Sequence, residues 1–158
     1  MPVSDDDANL RLLLVASSGG HLTQLLALRP WWSAHQRSFV TFDSTQARSA
    51  LTDESVVFAY APTTRNIPNL LRNARLAWTL LRRERPDVVV TTGAGVALPF
   101  IVLGRFRGAT TVFIEVFDRI EMPTLTGRLC RPFCTAVLVQ WDEQRTAYPQ
   151  SINVGPLL

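Results

Sequence analysis

The sequence predicts a single doubly wound α/β domain, a parallel sheet with helices on both faces. Three observations carry this prediction. Short apolar runs alternate with segments of helical period along most of the chain, the pattern of repeated strand–helix–strand units. Two of the strand-to-helix turns are rich in glycine, Ser17-Ser18-Gly19-Gly20-His21 and Thr92-Gly93-Ala94-Gly95. The length of 158 residues and an apolar content of 47% suit one domain that buries roughly 70% of its unfolded surface.

Leu12 to Ala16 is an unbroken apolar run, as expected of a strand buried on both faces. Leu22, Leu25, Leu26 and Leu28 then recur at helical spacing, and Pro30-Trp31-Trp32 is expected to end that helix. Arg37–Phe42 reads as a second strand, Ser44–Leu51 as a short helix and Val56–Ala61 as a third strand. A long helix is expected over Ile67–Arg83. Its stripe of Leu70, Leu71, Ala74, Ala77, Trp78 and Leu81 would pack on the sheet, opposite Arg72, Arg75, Arg82 and Arg83. Asp87–Thr91 is the fourth strand, Val96–Phe106 an apolar helix and Thr110–Ile114 the fifth strand. A loop and helix follow over Glu121–Phe133, then strands at Ala136–Gln140 and Ile152–Val154. The expected strand order is 3-2-1-4-5, with later strands added outward. Residues 1–9, with Ser4-Asp5-Asp6-Asp7, read as a disordered acidic tail ahead of a domain over 10–158.

In such a sheet the order reverses between strands one and four, and ligands bind above the carboxyl ends of those strands. Both glycine turns fall at that point. The first backbone N–H groups of a helix lack intrahelical partners, so Ser17, Ser18, Gly19 and Gly20 are candidates for holding a phosphate or another oxyanion. Thr92, Gly93 and Gly95 would line the other side. His21 opens the first helix, where the positive dipole end disfavours the imidazolium, and is a candidate general base. Glu115 ends the fifth strand and is a second candidate base, or else a structural partner for Arg119 or a loop amide. Arg65 and Asn66 precede the long helix on the same face and could hold a diphosphate.

Composition excludes several classes. The longest apolar runs fall short of the roughly 18–20 residues of a membrane span, and residues 1–10 carry no signal-peptide pattern. Cys130 and Cys134 flank Pro132 without metal-ligand spacing and read as packed free thiols; neither a metal nor a cofactor is implied. All 16 basic residues are arginine, and eight of them lie in 61–110 against Glu84 and Asp87, a local excess of six. Nucleic acid is a poor partner for these arginines because no stacking aromatics are interleaved. An anionic membrane surface is the sharper alternative to a solvated helix face.

SSGGHLTQLL, TRNIPNLL, TTGAGVALPF, IEVFDRI, LTGRL, VQW and YPQSINVG occur in that order along nearly the whole chain. This ordered set resembles the PssD/EpsE-type bacterial polysaccharide proteins. These are relatives of the eukaryotic asparagine-linked glycosylation protein fourteen family, a membrane subunit of a two-subunit UDP-N-acetylglucosamine transferase. The resemblance implies the Rossmann-like, acceptor-binding N-terminal half of a split MurG-like GT-B glycosyltransferase. A second chain would supply the nucleotide-sugar lobe and bind most of the UDP-sugar, and this chain would be inactive alone. Ser18, Gly19, Gly20 and His21 would then face a lipid-linked diphosphate acceptor, with Thr92, Gly93 and Gly95 across the cleft. Glu115, Arg119 and Asn66 match motif positions without assigned roles. The membrane anchor of the eukaryotic relatives is expected to be missing here. The expected location is therefore cytoplasmic, peripherally at the inner face of the cell membrane, through the surface near Arg65 to Arg75.

Two other readings remain open in the residues. A non-catalytic scaffold that activates the true transferase would share every motif above. A dinucleotide-binding oxidoreductase domain finds support in Asp43 at the end of the second strand, but Gly19 and Gly20 are adjacent, and Thr23-Gln24 stands where a third glycine would fall.

Overall fold

A computed structural model describes residues 9–158; the acidic tail expected over residues 1–9 lies, except for Asn9, outside the described residues. One seven-stranded parallel sheet runs through the molecule in the order β3-β2-β1-β4-β5-β6-β7, where β1 is Arg11–Ala16, β2 Gln36–Thr41, β3 Val56–Phe58, β4 Val88–Gly93, β5 Thr110–Ile114, β6 Ala136–Val139 and β7 Ile152–Asn153. The helices are α1 (Gly20–Ala27), α2 (Arg29–Trp32), α3 (Thr45–Ala50), α4 (Ile67–Glu84), α5 (Ala97–Phe106) and α6 (Leu125–Cys130). The expected fold class and strand order are those observed.

Side chains alternate across a strand, and β1 shows why its run is apolar throughout. Leu13 and Val15 face one core with Ala77, Leu80 and Leu81 of α4 and Phe100 and Ile101 of α5. Leu12, Leu14 and Ala16 face the other, with Leu22 and Leu25 of α1, Trp32 and Phe39. The start of β1 is tied to β4 by Arg11 N–H on Asp87 Oδ2 (2.8 Å) and Asp87 N–H on Arg11 O (2.8 Å). This holds the register of the two strands that carry the glycine turns.

Two local expectations are corrected. Pro30-Trp31-Trp32 does not stop the chain's helical path but forms α2, with Pro in its first turn, where its missing N–H is not needed. More consequentially, α4 is rotated. Its buried row is Asn69, Asn73, Ala77, Leu80 and Leu81, while Leu71 and Trp78, expected on the sheet, stand 61% and 44% exposed. The reason is tertiary: Asn73 donates to Tyr60 O (3.0 Å) and accepts from Tyr60 N–H (2.9 Å), and Asn69 donates to Pro62 O (2.8 Å). The two buried amides find their partners in the backbone of the β3–α4 loop and tie that loop to the helix.

Cys130 and Cys134 are free thiols. Burial pushes both up to about 12, with Cys134 and Glu115 adding to the effect at Cys130. A group whose pKa rises on folding supports the folded state fully below its unfolded value, about 8.5 for a thiol. That support drains as pH climbs toward 12. The protein is therefore expected to lose stability progressively above about pH 8.5, and Cys130 should resist a thiol reagent at pH 8 until denaturant is added. Rapid labelling of the folded chain at Cys130 would contradict this.

Candidate functional site

The strand order reverses between β1 and β4, and the two glycine turns meet there. His21 is held at both ends by Thr92: its ring Nδ1 lies 2.9 Å from Thr92 O, and Thr92 Oγ1 donates to His21 O at 2.6 Å. A carbonyl only accepts, so Nδ1 carries the proton and Nε2 is left as the acceptor. A break in pairing makes this possible. Val15 pairs with Thr91 but Ala16 pairs with Gly93, so Thr92 is the extra residue of a bulge that re-aims it at His21. Gly93, at φ +111°, packs against the imidazole; a Cβ there would lie 3.4 Å from ring atoms of His21. The turn that was expected to begin at Thr92 is thus the bulged end of β4, and Thr92, fully buried, clamps His21 rather than lining an open cleft.

The first turn is only partly available to a ligand. Ser17 is buried and donates to Ser18 O. Gly19 N–H is occupied by Gln46 Oε1 of α3 at 2.7 Å, and Gln46 Nε2 returns to Gly19 O. The N–H groups of Gly20, His21 and Leu22 have no partner among the described residues, and those of Gly20 and His21, which line a recess on this face, remain for an oxyanion.

Glu115 is the clearest correction. It is fully buried and does not face the ligand side. Its carboxyl accepts from Tyr148 Oη (2.6 Å), Val116 N–H (3.0 Å), and Thr124 N–H (3.1 Å) and Oγ1 (3.1 and 3.2 Å). Burial and the Glu115 bond raise the Tyr148 phenol far above its ordinary value, so it stays a donor. Glu115 therefore ties the β5–α6 loop to the sheet. Of its expected structural partners the loop amide is the one found, whereas Arg119 offers its carbonyl to Gln144. Gly127 of α6 sits against this group so closely that a Cβ would collide with Tyr148 Oη and lie 2.7 Å from Glu115 Oε2.

Two recesses open on this face. One, of about 260 Å³, is lined by Gly20, His21, Gln24, Phe117, Asp118, Arg119 and Thr124, with Val116 behind. The other, about 350 Å³, is walled by Ile67, Leu70, Leu98, Leu125 and Leu129, with Arg65, Asn66 and Gly95 at its edge. Asn66 is the N-cap of α4, accepting from Asn69 N–H at 3.0 Å, so its side-chain oxygen is committed. Arg65 is exposed and left-handed, at φ +49°. Asp43, the candidate ribose-binding acid, is held in a two-pronged pair by Arg48 at 2.6 and 2.7 Å.

Gln24, Gln46, Asn69, Asn73 and Tyr148 escaped the reading of the sequence as site-building residues. Asn69 and Asn73 did leave a trace: they lie four apart, in line with Ala77 and Leu81. The others are polar residues inside ordinary helical or loop sequence and carry no local signal.

A single wound parallel sheet whose order reverses between β1 and β4, with a clamped histidine at the reversal, has the Rossmann-like architecture of one lobe of a GT-B fold. The structure superposes on MurG from Acinetobacter baumannii with a TM-score of 0.69 at 16% identity, covering 85% of this chain and 42% of that one. It also superposes on UDP-N-acetylglucosamine 2-epimerase from Rickettsia bellii with a TM-score of 0.73 at 11% identity, covering 94% and 45%. The chain thus spans less than half of either protein, and these likenesses concern the fold. The chain belongs to the family described as "Oligosaccharide biosynthesis protein Alg14 like", whose model matches residues 59–157. It is 26% identical to the UDP-N-acetylglucosamine transferase subunit ALG14 of Mus musculus, over 95% of this chain and 84% of that one.

Proposed function

We propose that this chain is the acceptor-binding subunit of a two-chain UDP-sugar glycosyltransferase acting in bacterial polysaccharide or glycolipid synthesis, as its resemblance to the PssD/EpsE-type proteins implies. The single observation that carries the reading is His21. Its Nε2 is left free by the Thr92 clamp, and His21 lines the recess it shares with Asp118 and Arg119, while the apolar cavity edged by Arg65 and Gly95 opens on the same face. A lipid-linked diphosphate suits that arrangement: prenyl carbons against Ile67, Leu98 and Leu129, phosphate oxygens at the Gly20 and His21 N–H groups and Arg65, the sugar toward His21.

In this mechanism the acceptor hydroxyl attacks the anomeric carbon of the nucleotide sugar while Nε2 of His21 takes its proton. The bond from that carbon to the nucleotide diphosphate breaks, and the leaving group departs with the electron pair. The partner chain holds most of the UDP-sugar and stabilises the departing diphosphate. Thr92, Gly93 and Glu115 act by holding His21 and the β5–α6 loop in place.

No helix among the described residues is long and apolar enough to cross a membrane. The outer face of α4 supports a peripheral contact instead. Ile67, Leu71 and Trp78 stand exposed there, beside Arg75 and Arg82, a combination suited to the interface of an anionic leaflet.

The test is reconstitution. Co-expressed with the nucleotide-sugar chain and given polyprenyl-diphosphate acceptors and a panel of UDP-sugars, the pair should turn over, and this chain alone should not. Anionic vesicles should retain the wild-type chain and release the Leu71→Asp variant. Sugar transfer by the isolated chain would overturn the two-chain reading.

A further inference from the structure

We infer that Gln24 contacts the substrate, donating an amide hydrogen bond to an oxygen of the acceptor's sugar beside the hydroxyl that His21 serves. This rests on the acceptor reading above. Gln24 lies three residues beyond His21 on α1, so the two share a helix face, and both line the recess of about 260 Å³. It is 2% exposed, a depth at which a carboxamide needs partners for both its oxygen and its nitrogen.

The orientation of the amide follows from its neighbour. Gln140 Nε2 donates to Glu115 O at 3.0 Å, and Gln140 Oε1 accepts from Leu157 N–H at 3.0 Å. Those two backbone groups leave Gln140 one orientation. Its nitrogen therefore also donates to Gln24, 2.5 Å away, and Gln24 must meet it with Oε1. The Gln24 nitrogen is left over. It has no partner among the described residues, and it is not among the sealed polar atoms, so it opens on the recess.

Charge decides between the two parts of the acceptor. Asp118 and Arg119 both line this recess, so opposite charges offset there and leave no net charge to draw a diphosphate in. A neutral amide donor next to a carboxylate suits a sugar hydroxyl or an acetamido oxygen. Arg65 and Gly95 edge the other cavity, where the prenyl chain belongs, with the diphosphate between Arg65 and the Gly20 and His21 N–H groups. Thr124 lines the first recess and Leu125 the second, so one short ligand spans both past the start of α6.

The experiment titrates the wild-type chain, in mild detergent, with a short-chain prenyl diphosphate and with the same compound bearing glucose, galactose or N-acetylglucosamine. Wild type should bind at least one sugar-bearing probe more tightly than the bare diphosphate. Gln24→Met should erase that margin, about tenfold for one hydrogen bond, and leave the bare probe unaffected. Gln24→Leu also lacks the donor without adding charge and should behave the same way, with Gln140 still held by Glu115 O and the Leu157 N–H. If wild type binds no probe, the acceptor reading fails. If probes bind but wild type shows no sugar margin, or either variant keeps it, or both probe classes weaken equally, Gln24 is structural and the inference is overturned.

Discussion

Replacing His21 by alanine is expected to lower turnover of the assembled transferase by about 10²–10⁴-fold, the usual contribution of a positioned general base. The imidazole is the one titratable side chain fixed between the two glycine turns, by the Thr92 carbonyl at 2.9 Å. Its removal should spare assembly, because the Thr92 hydroxyl grips the backbone carbonyl of residue 21, which alanine retains. His21→Asn separates holding from chemistry. Its amide can still donate to Thr92 O but offers no basic nitrogen, so activity should stay low while the fold is kept. Rates measured alongside partner pull-down and melting temperature decide the matter. Wild-type turnover in His21→Asn would remove His21 as the base, and loss of activity only through loss of assembly would favour a scaffold.

Glu115→Ala is expected to destabilise the domain by about 3–5 kcal/mol rather than to act on the chemistry. Four groups lose their acceptor at once: Tyr148 Oη, Thr124 Oγ1 and the N–H groups of Val116 and Thr124. Each buried group left unpaired costs about 1–3 kcal/mol, and domains of this size hold about 5–15 kcal/mol in all. Gly127→Ala should behave similarly, since its new methyl collides with the same Tyr148 and Glu115 oxygens; overpacking of this kind costs typically 1–3 kcal/mol. Urea titration of the isolated chain measures both. A Glu115→Ala protein of native stability but no turnover would return Glu115 to the chemistry.

This contrast between His21 and Glu115 shows how much of the site could be read from the chain. Both stand at the carboxyl end of the sheet, one after β1 and one after β5, and both carry a proton-accepting side chain. Position along a strand says which end of the sheet a residue occupies. It does not say whether the side chain turns to solvent or inward, and the rest of the loop settles that. Thr124, Gly127 and Tyr148, distant in sequence from Glu115, close over it; nothing near residue 115 announces them. The rotation of α4 has the same origin. Periodicity favoured Leu70, Leu71 and Trp78 for the core, but Asn69 and Asn73 find their partners in the backbone of the loop before the helix and so take the inner face.

The residue order alone was sufficient for the wound parallel sheet, its strand sequence and the meeting of the two glycine turns. These rest on local patterns that repeat: apolar runs too short for helices, leucines at helical spacing, glycines at the strand ends. The packed molecule was needed for the bulge at Thr92, the tautomer of His21, the burial of Glu115 and the outward face of α4. Each of these depends on where the hydrogen bonds of one segment are satisfied by another, and such pairings between distant residues leave no periodic mark on the chain.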